Sequence, residues 1–500
     1  MSVRLQAVQG SLWVGVGNVV AYATSFIRNM ILARLLSKTD FGIAATFGLV
    51  LTLMEFTAKI GIGRFVVQDK EGNEPGFVAS AHLVQACAAG ISAVLIVAGA
   101  PVLAQWFGIA NHAWALMLLA LVAVFRGLEH ADVRRYERGL RFAPSTAVDT
   151  IPQVIITLAA WPVAVWLEDF RAVLVLLLAK SALGCVLSHF LAERPYRLAR
   201  HREQLARMLR FGWPLLLTGF LIFGVMQGDQ FLVAAFYAMS DLGPYAAAAA
   251  LAYTPSFLFG GILSSILLPL LSRVQDDLPL LRRRYVQTVA LVTLVSAVSS
   301  VGMIVAGEAL MQLAYGSKYT GSGIILAWLT AAVAFRNLRV APSIAALARG
   351  DSENQMISNA WRVMALAPML VLAIKHQPIW MLACCGLVGE AFACWVSIVR
   401  LRRRDGVPVS VTLRPAIWLL ALVIAAGGLA WAGGHATSAL GGLVLGVACA
   451  LVAGVSTVAL LPELRREALA VWQGYSTKGW RGALAQMKGE RTSTHPCQLG

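Results

Sequence analysis

Long runs of apolar residues, separated by short polar segments, follow one another along the whole chain. Each run holds roughly 20 residues, the length that an α-helix needs to cross a hydrocarbon core of about 30 Å. The pattern predicts fourteen membrane spans, near residues 11–33, 41–59, 77–102, 113–131, 146–166, 172–192, 212–236, 244–272, 286–313, 322–348, 355–372, 379–399, 416–433 and 438–461. We therefore expect an all-α polytopic membrane protein.

Composition supports this fold class. The 500 residues are 58% hydrophobic and only 13% charged, with a mean hydropathy of +0.72, whereas a soluble domain carries about 25% charged residues. Lys and Arg are concentrated at the N-terminus, in the segments after even-numbered spans and in the tail. They are sparse after odd-numbered spans. Because cytoplasmic loops are enriched in Lys and Arg, this distribution predicts that both termini are cytoplasmic.

The same asymmetry explains the net charge of +16, and basic clusters at residues 194–210, 281–285 and 400–404 are examples of it. We interpret them as a topology signal and as contacts with anionic membrane lipids. No nucleic-acid-binding motif and no interleaved aromatic residues accompany them, so a nucleic-acid partner is not expected.

An internal repeat relates the two halves of the chain. When Phe26 is aligned with Gln227, Asp40 meets Asp241 and Gly42 meets Gly243. In each copy the end of one span is followed by a short turn with an Asp-x-Gly motif and the next span. Both copies start on the same side of the membrane, so the repeat is parallel.

The repeat predicts how the chain is organised. We expect an N-terminal six-helix bundle, a cytoplasmic basic linker, a second six-helix bundle, two additional transmembrane helices and a cytoplasmic basic tail. These correspond to residues 1–192, 193–211, 212–400, 401–461 and 462–500.

Several segments in a fixed order resemble the polysaccharide transporters of the multidrug/oligosaccharidyl-lipid/polysaccharide (MOP) flippase superfamily, and Wzx-type exporters in particular. They are spread over residues 1–400 and read GSLWVGVGNVV (10–20), ILARLLSKTDFG (31–42), RRYERGLRF (134–142), RFGWPLLLTG (210–219), LLPLLSRVQDDLPLLRRRY (267–285), GSKYTGSG (316–323) and PSIAALARGD (342–351).

The resemblance implies a V-shaped pair of six-helix bundles around a central cavity. It implies that the protein turns an undecaprenyl-diphosphate-linked oligosaccharide repeat unit from the cytoplasmic to the periplasmic leaflet of the bacterial inner membrane, by alternating access. Membrane lipids and, as candidates, a polymerase and a chain-length regulator are the other expected partners. No covalent chemistry and no cofactor are implied.

Charged residues inside spans are costly and usually face a cavity or a partner, so they are the candidate functional residues. The cations are Arg28, Lys59, Arg126, Lys180, Arg336, Arg339 and Arg362. We expect Arg28, Lys180, Arg336 and Arg362 to form a cationic cavity for the diphosphate, which the planar guanidinium fork suits. The alternatives are snorkelling to the interface for Arg28, Lys59 and Arg126, and an ion pair with Glu308 or Glu390 for Arg336.

Acidic residues inside spans are candidates for coupling transport to H⁺ or Na⁺, or for gating. They are Glu55, Asp149, Asp229, Glu308 and Glu390. The repeat places Arg28 and Asp229 at equivalent positions, which suggests a second hypothesis. The two side chains pair across the bundles and latch the inward-facing state. A structural hydrogen-bond anchor is the alternative for Asp229.

Proline and glycine mark candidate hinges at Pro214, Pro255, Gly260 and Gly261, with static kinks as the alternative. Other functions fit less well. A lipid II flippase or a drug or cation antiporter of the same superfamily matches the segments above less closely. A membrane polysaccharide polymerase or ligase would need a large exterior loop, and GSKYTGSG lacks the upstream glycine of an ATP-binding phosphate loop. We do not expect an enzyme.

Overall fold

The computed structural model describes residues 3–58, 62–433, 438–466 and 469. Side chains are described for these residues except 3–12, 56–58, 62, 64, 212–218 and 433. All regular elements in the described residues are helical. The first half contains α1 (Val3–Leu35), α2 (Lys38–Ala58), α3 (Ile62–Gln68), α4 (Pro75–Trp106), α5 (Ala113–Gly127), α6 (Asp132–Arg135), α7 (Ala143–Leu167) and α8 (Arg171–Leu191).

In the described residues the second half continues with helices α9 to α18. They are α9 (Arg202–Phe236), α10 (Met239–Ser272), α11 (Leu278–Val305), α12 (Gly307–Tyr315), α13 (Gly323–Ala348), α14 (Glu353–Val363), α15 (Leu366–Ile374), α16 (Ile379–Asp405), α17 (Ser410–Gly433) and α18 (Ala439–Leu460). Short 3₁₀ turns lie at Ala110–His112, Tyr136–Gly139 and Ser317–Tyr319.

The predicted fold class is confirmed. In the described residues, twelve helical segments are long and apolar enough to cross a membrane, and α1 and α2 cover the first two predicted spans. The protein is therefore a multi-pass helical membrane protein. The predicted repeat also fits the helix ends, because the alignment that pairs Phe26 with Gln227 pairs Leu35 with Phe236 and Lys38 with Met239.

Two predicted spans differ from the structure because each is divided into two helices. The span predicted at 286–313 breaks at Ala306, between α11 and α12. The span predicted at 355–372 breaks at Met364 and Ala365, between α14 and α15. Pro368 explains the second break in part, since it has no N–H to donate to the carbonyl of Met364, four residues earlier.

Polar caps fix several helix starts. The Ser37 hydroxyl accepts a hydrogen bond from the backbone N–H of Asp40 at 3.0 Å and caps α2. The Asp277 carboxylate accepts from Leu280 N–H at 3.0 Å at the start of α11. Such caps satisfy backbone donors that have no partner inside the helix.

The chain divides into two compact units, which do not follow the sequence halves. The larger contains residues 1–263, 307–333 and 356–393, and the smaller contains residues 264–306, 334–355 and 394–500. In the larger unit, α1 packs on α7, α4 on α5, and α2 on α9. In the smaller unit, α17 and α18 pack on α11. The predicted division into two bundles with an appendage stays a prediction.

Each half also places a buried aspartate beside arginines at the predicted cytoplasmic end. Asp132, after the fourth predicted span, lies 2.7 Å from Arg135 Nε. Asp351, after the tenth, lies 2.9 Å from Arg400 Nε and 3.1 Å from Arg404 Nη1. The hydrogen bond from Arg400 lowers the pKa of Asp351 below its ordinary value. Both halves thus have a buried aspartate paired with arginine at this end.

Replacement of this carboxylate tests its contribution to stability. We expect Asp351→Asn to lower the free energy of unfolding by about 1–3 kcal/mol at neutral pH, because Arg400 and Arg404 lose their shared partner. Thermal unfolding in detergent, followed by tryptophan fluorescence, measures the loss. Asp276→Asn is the matched control, since Asp276 is exposed.

The pH dependence of the same variant gives a second readout. Because the folded pKa of Asp351 is depressed below 3.8, the carboxylate stabilises the protein above that pH, and its contribution disappears as the pH falls through the folded pKa. The gap in stability between the unsubstituted protein and Asp351→Asn should narrow in that acid range. A gap that stayed constant there would contradict the assignment.

Candidate functional site

The first predicted cavity residue, Arg28, lies on α1 in the larger unit and is half-buried. Its guanidinium donates long hydrogen bonds to Gln153 Oε1 at 3.5 Å and to Ser25 Oγ at 3.4 Å. Within the described part of the chain, no carboxylate lies at ion-pair distance from it. A guanidinium has five N–H donors, so Arg28 retains donors for another anion.

Lys180 on α8 is a second half-buried cation in the same region. Its ammonium has no hydrogen bond or ion pair among the residues that the structure describes. It is close enough to Arg28, Arg126, Glu55 and Asp149 to interact with them electrostatically. We call these five residues the first-half cluster.

The two acids of the first-half cluster are already bound to arginines. Glu55 forms an ion pair with Arg126, so Arg126 is paired inside the protein rather than only reaching towards the interface. Asp149 accepts from Arg134 at 3.1 Å. Arg28 and Lys180 are therefore the cations of this cluster that have no carboxylate at ion-pair distance in the described residues.

The second half has a different polar arrangement around Asp229 on α9. Asp229 is 7% exposed, and its carboxylate accepts from the hydroxyls of Tyr245 at 2.9 Å and Tyr253 at 3.3 Å. Nearby, Arg362 on α14 lies 2.5 Å from Glu390 on α16, and its guanidinium interacts electrostatically with Asp229. We call these five residues the second-half cluster.

The Asp229 carboxyl group is buried and has no cation at ion-pair distance in the described residues. Its donors are two neutral hydroxyls and the backbone N–H of Gln230 at 2.8 Å. Sequence reasoning missed both tyrosines. A signal existed, because Tyr245 and Tyr253 are eight residues apart and so lie on one face of α10.

The break between α14 and α15 lies directly after Arg362 and packs closely on its neighbours. A Cβ added at Gly228 of α9 would lie 2.6 Å from Leu366 Cδ1, and one at Gly389 of α16 would lie 2.5 Å from Ala365 Cβ. The two glycines let the broken helix approach α9 and α16. Interrupted membrane helices often line ion or substrate sites, which links this break to the second-half cluster.

The predicted pair between Arg28 and Asp229 does not form in this structure. Arg28 contacts Gln153 and Ser25, whereas Asp229 contacts the two tyrosines. The second hypothesis of the sequence analysis, a latch made of these two side chains, therefore has no support here.

Glu308 has the contacts of a helix cap. Its carboxylate accepts from the backbone N–H groups of Gly321 at 2.8 Å and Gly323 at 3.0 Å, at the start of α13. The sequence pattern misled because it placed Glu308 inside a continuous span, whereas the structure places it after the break at Ala306. A coupling role for Glu308 stays a prediction.

The remaining candidates are spread over the chain. Arg336 and Arg339 lie on α13 in the smaller unit and are 8% and 7% exposed. Lys59 lies outside the described residues, as does the side chain of Pro214, which belongs to α9. Pro255, Gly260 and Gly261 lie within the continuous helix α10. The helix breaks occur elsewhere, and hinges at these four positions stay a prediction.

The chain matches a known family over most of this architecture. A family model described as "Polysaccharide biosynthesis protein" matches residues 31–323, more than half of the chain. The chain belongs to this family. The resemblance to the polysaccharide transporters of the MOP superfamily, predicted from the sequence, is thereby confirmed.

Two relatives match the chain at low sequence identity. It is 21% identical over 331 residues to the lipopolysaccharide biosynthesis protein WzxC of Escherichia coli (strain K12), a match that covers 64% of this chain and 65% of WzxC. It is 19% identical over 396 residues to an uncharacterized membrane protein in the cps region of Klebsiella pneumoniae, covering 78% and 79%. The chain thus spans just under two thirds of WzxC.

Solved structures share the fold. The lipid II flippase MurJ in an inward closed conformation matches with a TM-score of 0.67 at 14% identity, over 90% of this chain and 99% of that chain. A multidrug resistance MATE family transporter of the MOP superfamily, in an inward-facing conformation, matches with a TM-score of 0.60 at 13% identity, over 77% and 94%. The family member described here therefore has a MOP-type fold.

The tyrosine contacts of the second-half cluster can be tested by removing one hydroxyl. We expect Tyr245→Phe to lower the thermal unfolding temperature, because Asp229 would lose a donor in a buried site, at a cost of about 1–3 kcal/mol. Tyr319→Phe is the matched control, since Tyr319 is also fully buried but its hydroxyl has no hydrogen-bond partner among the described residues. Equal effects of the two variants would contradict the assigned role of Tyr245.

Proposed function

We propose that the protein is a flippase for undecaprenyl-diphosphate-linked oligosaccharide repeat units, which it moves across the bacterial inner membrane by alternating access. Both termini are then cytoplasmic. The transported units supply exopolysaccharide, capsule or O-antigen assembly, with a polymerase and a chain-length regulator as candidate partners. The activity is transport rather than catalysis and needs no cofactor.

The observation that carries the proposal is the pair of unneutralised cations in the first-half cluster. Arg28 and Lys180 lie in apolar helices and are half-buried, without a carboxylate partner among the described residues. An unpaired charge at such a position is costly unless it serves a ligand or a water-filled cavity. A diphosphate is a ligand of suitable charge, and a guanidinium can bind two of its oxygens at once.

The family supports the same class of substrate. The chain belongs to a family of polysaccharide biosynthesis proteins, and one relative is named for lipopolysaccharide biosynthesis. A sugar unit carried on a lipid has to cross the membrane with a charged headgroup. A cationic site between membrane helices meets that requirement, because it replaces the water that the headgroup loses.

The second-half cluster supports coupling to a cation. The Asp229 carboxyl group is buried, and its hydrogen-bond donors in the described residues are all neutral. A buried carboxylate of this kind is stabilised when it takes up a proton or a metal cation. We therefore assign Asp229 as the site where H⁺ or Na⁺ binds during transport, with Tyr245 and Tyr253 orienting the carboxylate.

Charge removal in the first-half cluster tests the substrate assignment. In proteoliposomes, we expect Arg28→Gln and Lys180→Gln each to slow the flipping of an undecaprenyl-diphosphate-linked oligosaccharide about tenfold or more, the effect of losing one charge-assisted hydrogen bond. Lys375→Gln removes an exposed charge and should leave the rate unchanged. Normal flipping by both cluster variants, at limiting substrate, would refute the proposal.

Neutralisation of Asp229 tests the coupling assignment. We expect the flipping rate of the unsubstituted protein to respond to an imposed H⁺ or Na⁺ gradient, and Asp229→Asn to abolish that response while slower flipping continues without a gradient. Asp276→Asn should keep the response. If Asp229→Asn responded to both gradients as the unsubstituted protein does, the coupling site would lie elsewhere.

A further inference from the structure

The starts of α2 and α10 meet backbone to backbone in the larger unit. A Cβ added at Gly42 would collide with the backbone carbonyl oxygen of Met239, and a Cβ added at Gly243 would collide with that of Lys38. Gly42 corresponds to Gly243 in the repeat, and Lys38 corresponds to Met239. The contact is therefore reciprocal, and each copy of the Asp-x-Gly motif supplies the glycine that lets the other copy approach.

Two cations make further contacts between the two halves at the same end of the helices. Arg34, near the end of α1, donates from Nε to the Ala314 carbonyl at 2.9 Å and from Nη2 to the Leu313 carbonyl, at the end of α12. Lys318, just after α12, donates from Nζ to the Arg34 carbonyl at 3.0 Å and to the Leu36 carbonyl, at the end of α1.

Each cation thus caps the last carbonyls of a helix from the other half. The carbonyl end of a helix carries a partial negative charge, so a cation there is favourable. Neither cation forms an ion pair in the described residues. When the helices separate, both side chains and both sets of carbonyls are able to bind water, so the contact is reversible.

Some side chains beside these contacts are buried. Leu36, between α1 and α2, and Leu242, in the first turn of α10, are both fully buried. The Tyr315 hydroxyl of α12 donates to the Ala247 carbonyl of α10 at 3.0 Å. This end of the larger unit is closed by residues from both repeats.

We propose that Arg34, Gly42, Gly243 and Lys318 form the exterior gate of the transport cycle. The proposal rests on the proposed function, because alternating access requires the two repeats to separate at the exterior end. All four residues contact the opposite repeat, so one separation breaks the two glycine contacts and the two caps together. Arg34 and Lys318 stabilise the closed state through their hydrogen bonds, and the glycines allow α2 and α10 to approach each other closely.

Distance measurements between spin labels test the gate directly. The equivalent exposed positions Thr39 and Ser240 receive the labels, as cysteines in the full-length protein with its native cysteines replaced by serine or alanine. Reconstituted without substrate, this reference protein should show mainly the short distance. We expect Arg34→Gln combined with Lys318→Gln to raise the ratio of long to short distances about tenfold, the effect of losing one charge-assisted hydrogen bond.

Glycine variants give an independent arm with matched controls. Gly42→Ala and Gly243→Ala should each shift the distribution towards the long distance. Gly48→Ala, in α2, should not, because a Cβ at that position meets nothing within 4 Å. Lys375→Gln, which removes an exposed charge, should also leave the distribution unchanged.

Conservative exchange separates gating from misfolding. Arg34→Lys combined with Lys318→Arg keeps charge and donors and should restore most of the short distance. An unchanged distribution in the Gln pair and in both glycine variants would overturn the gate. So would equal shifts in the control variants.

The same measurements separate this inference from the proposed function. A shifted distribution in the variants, together with a reference protein that flips no lipid-linked oligosaccharide, would support the gate and reject the substrate. Normal flipping with no shift in any variant would reject the gate and keep the substrate.

Discussion

The cost of placing a charge among apolar helices is the constraint on which this structure depends. Most charged groups in the described helices meet that cost by pairing, as Glu55 does with Arg126 and Arg362 with Glu390. For Arg28, Lys180 and Asp229, the contacts in the described residues offset that cost only in part. The proposed function rests on these three residues, because an incompletely compensated charge in a membrane helix is destabilising.

The repeat aligns Arg28 with Asp229, although the two residues are opposite in charge type. Arg28 donates to the neutral oxygens of Gln153 and Ser25, whereas Asp229 accepts from the hydroxyls of two tyrosines. The aligned positions therefore hold a basic residue in one half and an acidic residue in the other.

Periodicity and repeats predicted the fold well because helix length and helix ends depend on local sequence. The ends at Leu35 and Phe236 follow from the aligned turns, and the membrane class follows from apolar run length. The breaks at Ala306 and Met364 were missed. Pro255 is accommodated in a continuous helix while Pro368 follows a break, so a proline by itself does not decide whether a helix is interrupted.

The candidate sites were predictable as residue types but not as contacts. Depth in a span pointed to Arg28, Lys180 and Asp229, because a buried charge is unusual wherever it occurs. The two tyrosines on Asp229, and the caps made by Arg34 and Lys318, depend on which helices become neighbours. Arg34 and Lys318 lie at span ends, where a cation has an ordinary explanation, so nothing in their local sequence distinguished them.

The two glycine contacts are related in the same way as the contacts of an isologous dimer interface, although both repeats belong to one chain. In such an interface every contact occurs twice, once on each side of the axis. A substitution at one glycine removes one of two equivalent contacts, so we expect closure of the gate to be weakened rather than abolished. The Arg34 and Lys318 caps have no such duplicate, because the residues that make them differ between the repeats. The exterior gate therefore combines a symmetric pair of glycine contacts with two caps that do not follow the symmetry of the repeats.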